Sequence, residues 1–141
     1  MIIAVPIKIV ADDQDLVVNP DLTIDGSKAP RVVSSYDLNA IEAAVQLAEG
    51  VQDARVVAVS VADAKADDSK LKKNILARGV DEFVLMADDA CADLDAHATA
   101  QLLAGMIADL QADLVICSDG SADNYAQQVH VQLADTMGLP V

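Results

Sequence analysis

The stretch ADLVICSDGSADNYAQQ, residues 112–128, decides the fold that we expect for this chain. An apolar strand at 113–117 runs directly into small residues, acids and a glycine, and an amphipathic helix is predicted from about 123 to 137. In an open α/β sheet, ligands bind beside the loops at the carboxyl ends of the strands. The order of these features therefore predicts a parallel sheet and a candidate ligand loop at 118–123.

The same alternation of strand and helix runs through the rest of the chain. Strands are predicted at 2–7, 55–61, 82–87 and 113–117, and helices at 36–49, 67–78, 95–110 and 123–137. Two short β-like pieces, at 16–18 and 22–25, predict a small hairpin after the first strand. The order predicts an α/β fold with an open, mostly parallel sheet and helices on both faces, formed by a single domain over residues 1–141. The chain stops where such a fold would begin its next strand, so we expect a fold that lacks its C-terminal part.

Composition narrows the functional class. Hydrophobic residues make up 53% of the 141 residues and aromatic residues 2%, which is typical of a globular chain with an aliphatic core. The net charge of −14, from 23 acidic and 9 basic residues, argues against binding to nucleic acid or to an anionic membrane. It fits simple solubility, and it also fits pairing with a basic patch on a partner. No apolar run reaches 18 residues, the N-terminus lacks a secretory pattern and the two cysteines make no disulfide framework, so we expect a cytoplasmic protein.

The familiar catalytic motifs do not occur. The first strand is not followed by GxGxxG, and neither GxxxxGK[ST] nor a nucleophile elbow is present. The two histidines, His97 and His130, have no cluster of cysteine or histidine beside them, so we predict neither a metal site nor a catalytic acid or base.

The loops at the strand ends are what remain for ligand binding. Lys8 can meet a phosphate, Gly120 lets the backbone approach a ligand, and the N–H groups that open the last predicted helix can hold a phosphate. Gln127 and Gln128 can form hydrogen bonds from their amides. The alternative is a plain turn in which Asp123 caps the last helix, just as Ser35 or Asp37 can cap the first.

Several stretches together resemble the beta subunit of electron transfer flavoproteins, in particular the sub-type linked to carnitine metabolism and nitrogen fixation. They are the first strand ending at Lys8, SSYDLNAIEAAVQL (34–47), VVAVSV (56–61), KNILARGVDEFVLM (73–86) and DLVICSDGSADNYAQQVHVQLADTMGLP (113–140). The similarity covers essentially the whole chain, but only about the first half of a usual beta subunit.

The resemblance implies an adenine-nucleotide α-hydrolase-like fold that binds AMP or FAD over the strand ends. The residues that it places at the cofactor are Pro6, Ser34, Ser35, Tyr36, Asp37, Val61, Ser118, Asp119, Gly120, Ser121, Ala122, Asp123, Gln127, Gln128 and Val129. Two positions depart from the family. Ser34-Ser35 stands where Asn-Pro is common, and Ser118-Asp119 replaces a frequent Gly-Lys, which removes a cation near the phosphates.

The resemblance also implies partners and a role. The chain would pair with an alpha subunit and carry electrons from a flavin dehydrogenase to an acceptor, with the redox chemistry belonging to bound flavin. Two alternatives stay open: a nucleotide-sensing domain of the same fold, and an assembly module whose cleft holds no ligand. Because the strand at 113–117 would be an apolar edge, we also expect this chain to form a homo-oligomer.

Overall fold

The computed structural model describes residues 1–141. In chain order its strands and helices are β1 (Ile2–Pro6), β2 (Ile9–Ala11), β3 (Val17–Val18), β4 (Ile24–Asp25), β5 (Arg31–Val33), α1 (Ser35–Glu49), β6 (Arg55–Ala62), α2 (Ser69–Leu76), β7 (Glu82–Ala87), α3 (Ala96–Leu110), β8 (Leu114–Val115) and α4 (Val129–Met137). No helix has the length and apolar character needed to span a membrane.

Four strands form the central sheet in the order β7-β6-β1-β8, and every pair is parallel. Side chains alternate across the sheet, so each strand contributes to two cores. Ile3 and Val5 pack with α1 and α2 on one face, whereas Val57 and Val59 pack with α3 and α4 on the other. The predicted open parallel sheet with helices on both faces is therefore confirmed.

The strand order changes direction beside β1. From β1 the chain moves outward to β6 and β7, and it then crosses back to place β8 on the other side of β1. The chain leaves β1 toward the face covered by α1 and leaves β8 toward the face covered by α4. Where neighbouring strands send their connections to opposite faces, a crevice opens at their carboxyl ends.

The excursion after the first strand is more structured than the sequence predicts. The hairpin of β3 and β4 is confirmed, with Val17 opposite Asp25. A second antiparallel pair, β2 with β5, lies outside it and was not predicted. Each strand of that pair has only three residues, which is too short for a clear alternation of apolar and polar side chains.

Two predicted elements are wrong in their extent. The strand predicted at 113–117 is paired only over Leu114–Val115. The helix predicted from 123 begins at Val129, so Ala126, expected in the core, is exposed, and only Leu133 of the expected stripe is buried. Smaller differences occur in α2 and α3, which begin two residues and one residue later than predicted.

Gly79 ends the turn after α2 with φ +89°, in the left-handed region. A methyl group added there would lie 3.0 Å from Val45 Cγ1. We expect Gly79→Ala to lower the free energy of unfolding by about 1–2 kcal/mol, because an L-residue is strained in this conformation. Urea denaturation measures the difference.

Gly105 provides the control, because it lies inside α3 and a methyl group there meets no atom within 4 Å. We expect Gly105→Ala to raise the free energy of unfolding by about 0.5–1 kcal/mol. Equal effects of the two substitutions would contradict the left-handed assignment of Gly79.

Candidate functional site

A crevice of about 680 Å³ opens at the carboxyl ends of the central strands. Its walls come from the loop after β1, the end of β6, the beginning of α3 and most of the segment between β8 and α4. The volume falls within the range of cavities that hold small molecules and cofactors. It is therefore the candidate site to which the sequence-predicted residues are compared.

Most of the predicted site residues lie in this crevice. Those that line it are Pro6, Asp37, Val61, Ser118, Asp119, Gly120, Ser121, Asp123, Gln127, Gln128 and Val129. The ones outside the lining are Ser34, Ser35, Tyr36 and Ala122. Hydrogen bonds from Ser118 to Asp37 and from Ala122 to Ser34 hold the first turn of α1 and the loop after β8 on the same edge of the sheet.

Asp37 connects three segments of the crevice wall. It sits in the first turn of α1 and is only 3% exposed. Its carboxylate accepts a hydrogen bond from the backbone N–H of Lys8, at 2.7 Å, and another from the hydroxyl of Ser118. The prediction that Ser35 or Asp37 caps α1 is wrong, because the residue before the helix is Ser34. The Asp37 side chain instead fixes the loops after β1 and β8 to each other.

Burial raises the pKa of the Asp37 carboxyl, because a charged carboxylate loses solvation inside the protein. Hydrogen bonds from Ser118 and Lys8 act in the opposite direction without cancelling the effect. Burial together with the negative charge of Asp37 also raises the pKa of the nearby Cys117 thiol to about 11. Cys117 is thus a neutral thiol at physiological pH and a poor nucleophile.

Lys8 meets a carboxylate in the crevice. Its ammonium group lies 2.7 Å from Asp123 Oδ2 and 2.9 Å from Oδ1, and it also contacts the Ser121 hydroxyl at 3.3 Å. Burial acts to raise the pKa of Asp123, but hydrogen bonds from Lys8 and Ser121 outweigh it and hold the pKa below its usual value. Lys8, the residue predicted to meet a phosphate, is therefore already paired with Asp123.

The loop from 118 to 128 is held to α1 by two further contacts. The backbone N–H of Ala122 donates to the fully buried Ser34 hydroxyl at 3.1 Å. The rings of Tyr36 and Tyr125 pack against each other with centroids 5.1 Å apart. A methyl group on Gly120 would overlap the Tyr125 ring, so the glycine makes room for this tyrosine.

These contacts explain why the predicted helix does not begin at 123. Tyr125 and Gln127 have left-handed backbones, with φ of 45° and 55°, which no α-helix tolerates. The Tyr125 hydroxyl donates to Asp119, which raises the pKa of the tyrosine. The residue before α4 is Gln128, so the prediction that the last helix opens at about residue 123 is wrong, and so is the prediction of Asp123 as its cap.

Besides the pair of Lys8 and Asp123, the crevice contains a second ion pair that was not predicted from the sequence. Arg31, on β5, is paired with Asp63, just beyond β6, with its Nε 3.1 Å from Asp63 Oδ2. The hydrogen bonds from Arg31 lower the pKa of Asp63. β5 brings Arg31 to the crevice. The only sequence signal for this strand is the short segment RVV, with its two β-branched valines.

Electrostatically, the crevice is acidic. Its lining carries five carboxylates, on Asp37, Asp63, Asp95, Asp119 and Asp123. It holds two side chains with a fixed positive charge, Lys8 and Arg31, and both are already ion-paired. The volume thus suits a nucleotide, whereas the charges oppose a phosphate until one of these pairs opens.

An open parallel α/β sheet with a polar crevice at its switch point is the architecture of a nucleotide- or cofactor-binding domain. Comparison with protein families then identifies the family, because a model of the electron transfer flavoprotein domain matches residues 21–141. The match covers most of the chain, which therefore belongs to the electron transfer flavoprotein domain family. Proteins of this family bind flavin.

Proposed function

We propose that this chain is a domain of an electron transfer flavoprotein beta subunit, of the sub-type linked to carnitine metabolism and nitrogen fixation. In this role it binds FAD or AMP in the crevice and pairs with an alpha subunit to carry electrons from a flavin dehydrogenase to an acceptor. The observation that supports the proposal is the family match over residues 21–141 in a chain whose crevice lies at the switch point of the sheet.

The redox chemistry would be supplied by bound flavin, and the chain would hold and orient the nucleotide. The amides of Gln127 and Gln128 line the crevice and can donate to or accept from an adenine or ribose group. Lys8 is the cation of the loop after β1 that can turn to a phosphate once it leaves Asp123. Asp37 would act on the nucleotide indirectly, by fixing both loops.

Acidic surroundings limit the affinity that we expect. Asp119 and Asp123 place negative charge beside any phosphate in this loop, and the loop does not provide a helix N-terminus in compensation. We therefore expect AMP to bind this chain alone with a dissociation constant on the order of micromolar or weaker. Isothermal titration calorimetry measures it, and a nanomolar dissociation constant would contradict this account of the charges.

A flavin absorbance spectrum tests the assignment to the family's role. We expect FAD to co-purify when an electron transfer flavoprotein alpha subunit is co-expressed with this chain. Binding of AMP without any association with the alpha chain would favour the nucleotide-sensing alternative. Association with the alpha chain without nucleotide or flavin would favour the assembly module, for which the two paired cations in the crevice are the supporting observation.

Homo-oligomer formation also stays a prediction. β8 has one hydrogen-bonded neighbour, β1, and its other edge is open. Leu114 on this strand is 37% exposed. An open apolar edge can pair with a second copy of the chain.

A further inference from the structure

The basic side chains of this acidic protein are unevenly distributed. Four of the nine form ion pairs, namely Lys8, Arg31, Arg55 and Lys72. The other five, without a carboxylate partner, are Lys28, Lys65, Lys70, Lys73 and Arg78. Three of these five line a single groove, which shares Arg31 with the crevice at the strand ends. The chain has a net charge of −14, so carboxylates are plentiful and most basic side chains are expected to pair with one. Three basic side chains without an ion pair in one groove therefore need an explanation.

The groove runs between β5 and α2 and encloses about 620 Å³. One wall is the backbone of β5, and the other is the face of α2 that carries Lys70 and Asn74, continued by Arg78. Its floor includes the apolar side chains of Leu71 and Val33, which are 5% and 9% exposed. A charged rim over an apolar floor suits a ligand that presents both acidic and aliphatic groups.

β5 presents an open edge to this groove. It pairs with β2 alone, and the two form a two-stranded sheet. The N–H of Ser34 donates to the carbonyl of Lys8, and the N–H of Asp12 donates to the carbonyl of Pro30. Residues 8 and 34, and residues 12 and 30, are therefore hydrogen-bonded pairs of this two-stranded ladder. In an antiparallel pair the residues between those bonded pairs direct their N–H and C=O groups away from the partner strand. The backbone groups of Arg31 and Val33 are therefore directed toward the groove side.

The groove lining carries more cations than carboxylates, with Arg31, Lys65, Lys70 and Arg78 against Asp12 and Asp68. Asp68 caps α2 by accepting from the N–H of Leu71 at 2.8 Å. Asp12 accepts from the N–H of Gln14 at 3.1 Å and caps a short helical turn. Lys65 donates to the carbonyl of Ser27 and Arg78 to the amide oxygen of Asn74, and neither side chain forms an ion pair. Lys65 interacts with the carboxylates of Asp25 and Asp63 only at longer range.

We propose that this groove binds an extended acidic segment of a partner protein, with carboxylates alternating with aliphatic side chains. The segment would add as a strand to the open edge of β5, its carboxylates would meet Lys65, Lys70 and Arg78, and its aliphatic side chains would cover the apolar floor. The overall charge of −14 does not prevent this, because at physiological salt charges are screened over about 8 Å and the local cations dominate.

Peptide binding by fluorescence anisotropy tests the proposal with the full chain. The probe is a fluorescein-labelled peptide of three glutamates alternating with two valines, and the control peptide replaces each glutamate by glutamine. We expect the acidic peptide to bind, the glutamine peptide to bind at least about fivefold more weakly, and added salt to weaken only the former.

Variants locate the binding. We expect Lys70→Glu combined with Arg78→Glu to weaken acidic-peptide binding at least about fivefold, since two attractive contacts become repulsive. Lys70→Glu alone is also measured. Its matched control is Lys73→Glu, because this substitution makes the same charge change on the same helix outside the groove. Its affinity should stay within about twofold of the original chain. Circular dichroism confirms that each variant is folded.

Three outcomes of the peptide experiments overturn the proposal, and a fourth comes from competition with phosphate. They are failure of the acidic peptide to bind the original chain, equal affinity for the glutamine peptide, and an equal effect of the Lys73 control. Inorganic phosphate is titrated in parallel. If phosphate displaces the peptide at a similar concentration, the groove is a small-anion site and the partner-segment proposal is wrong.

Discussion

Replacing Asp37 by alanine is expected to lower the free energy of unfolding by about 2–3 kcal/mol, because a buried N–H left without an acceptor loses its solvation without compensation. That N–H belongs to Lys8, which donates to Asp37 at 2.7 Å, and Ser118 would lose the same acceptor. Urea denaturation of the two proteins at pH 7 gives the difference.

Asp37→Asn is the matched control for this substitution. The amide oxygen can accept from Lys8, and the amide nitrogen can donate to Ser118, whose hydroxyl already contacts the carbonyl of Gly120 at 2.9 Å. We therefore expect asparagine to retain most of the stability that alanine loses. If the two variants were equally unstable, the hydrogen bonds of Asp37 would not be the reason for its effect.

The free energy of unfolding should depend on pH differently in the original chain and in Asp37→Asn. Burial raises the pKa of Asp37 above its unfolded value, so the folded chain holds this proton more tightly than the unfolded chain. The extra stability that protonation of Asp37 gives the folded chain is thus present below the unfolded pKa and is lost as the pH rises through the folded pKa, whereas the hydrogen bonds of the carboxylate remain. The difference in unfolding free energy between the original chain and Asp37→Asn should fall across this window and be constant above it. A difference that grows with pH would contradict the direction of the shift.

The sequence predicts the central sheet well because its strands are continuous apolar runs. β1, β6 and β7 were placed within two residues of their observed bounds. β1 and β6 are buried on both faces and so leave no polar alternation to misread, and β7, a partly buried edge strand, has the same apolar run. The helices on either face follow from spacing, as with Ile41 in α1 and Ile107 in α3, both almost fully buried. Strand order was not predicted, because it depends on contacts between residues far apart in the chain.

The sequence predicts which loops meet at the strand ends, but not the conformation of those loops. Loops at strand ends meet by topology alone, which brought Asp37 beside Ser118. The loop from 118 to 128 instead depends on long-range contacts, such as Lys8 with Asp123 and Tyr36 with Tyr125. Such contacts override a helical pattern that Asp, Asn and Tyr support only weakly. No local signal indicated left-handed backbones at Tyr125 and Gln127.

Asp123→Asn is expected to strengthen AMP binding to this chain about tenfold, which corresponds to about 1.4 kcal/mol. This expectation rests on the proposed nucleotide site. Asp123 holds the Lys8 ammonium at 2.7 Å and also repels any phosphate that approaches it. The side chains of Lys8 and Asp123 are 42% and 43% exposed, so solvent screening weakens their pair and its loss should leave the chain folded. Calorimetric titration with AMP measures the gain.

Two further variants separate the release of Lys8 from a mere change in charge. Asp119→Asn removes the same charge from the same loop, but Asp119 contacts Tyr125 and not Lys8, so we expect a gain of only about twofold. In a chain that also carries Lys8→Met, Asp123→Asn should give no more than this smaller gain, because there is no ammonium group to release. An equal gain for Asp119→Asn and Asp123→Asn, or a gain that survives the loss of Lys8, would show that the phosphate does not bind at Lys8. The double-mutant cycle thus tests one contact of the proposed site, since it compares the same carboxylate with and without its partner.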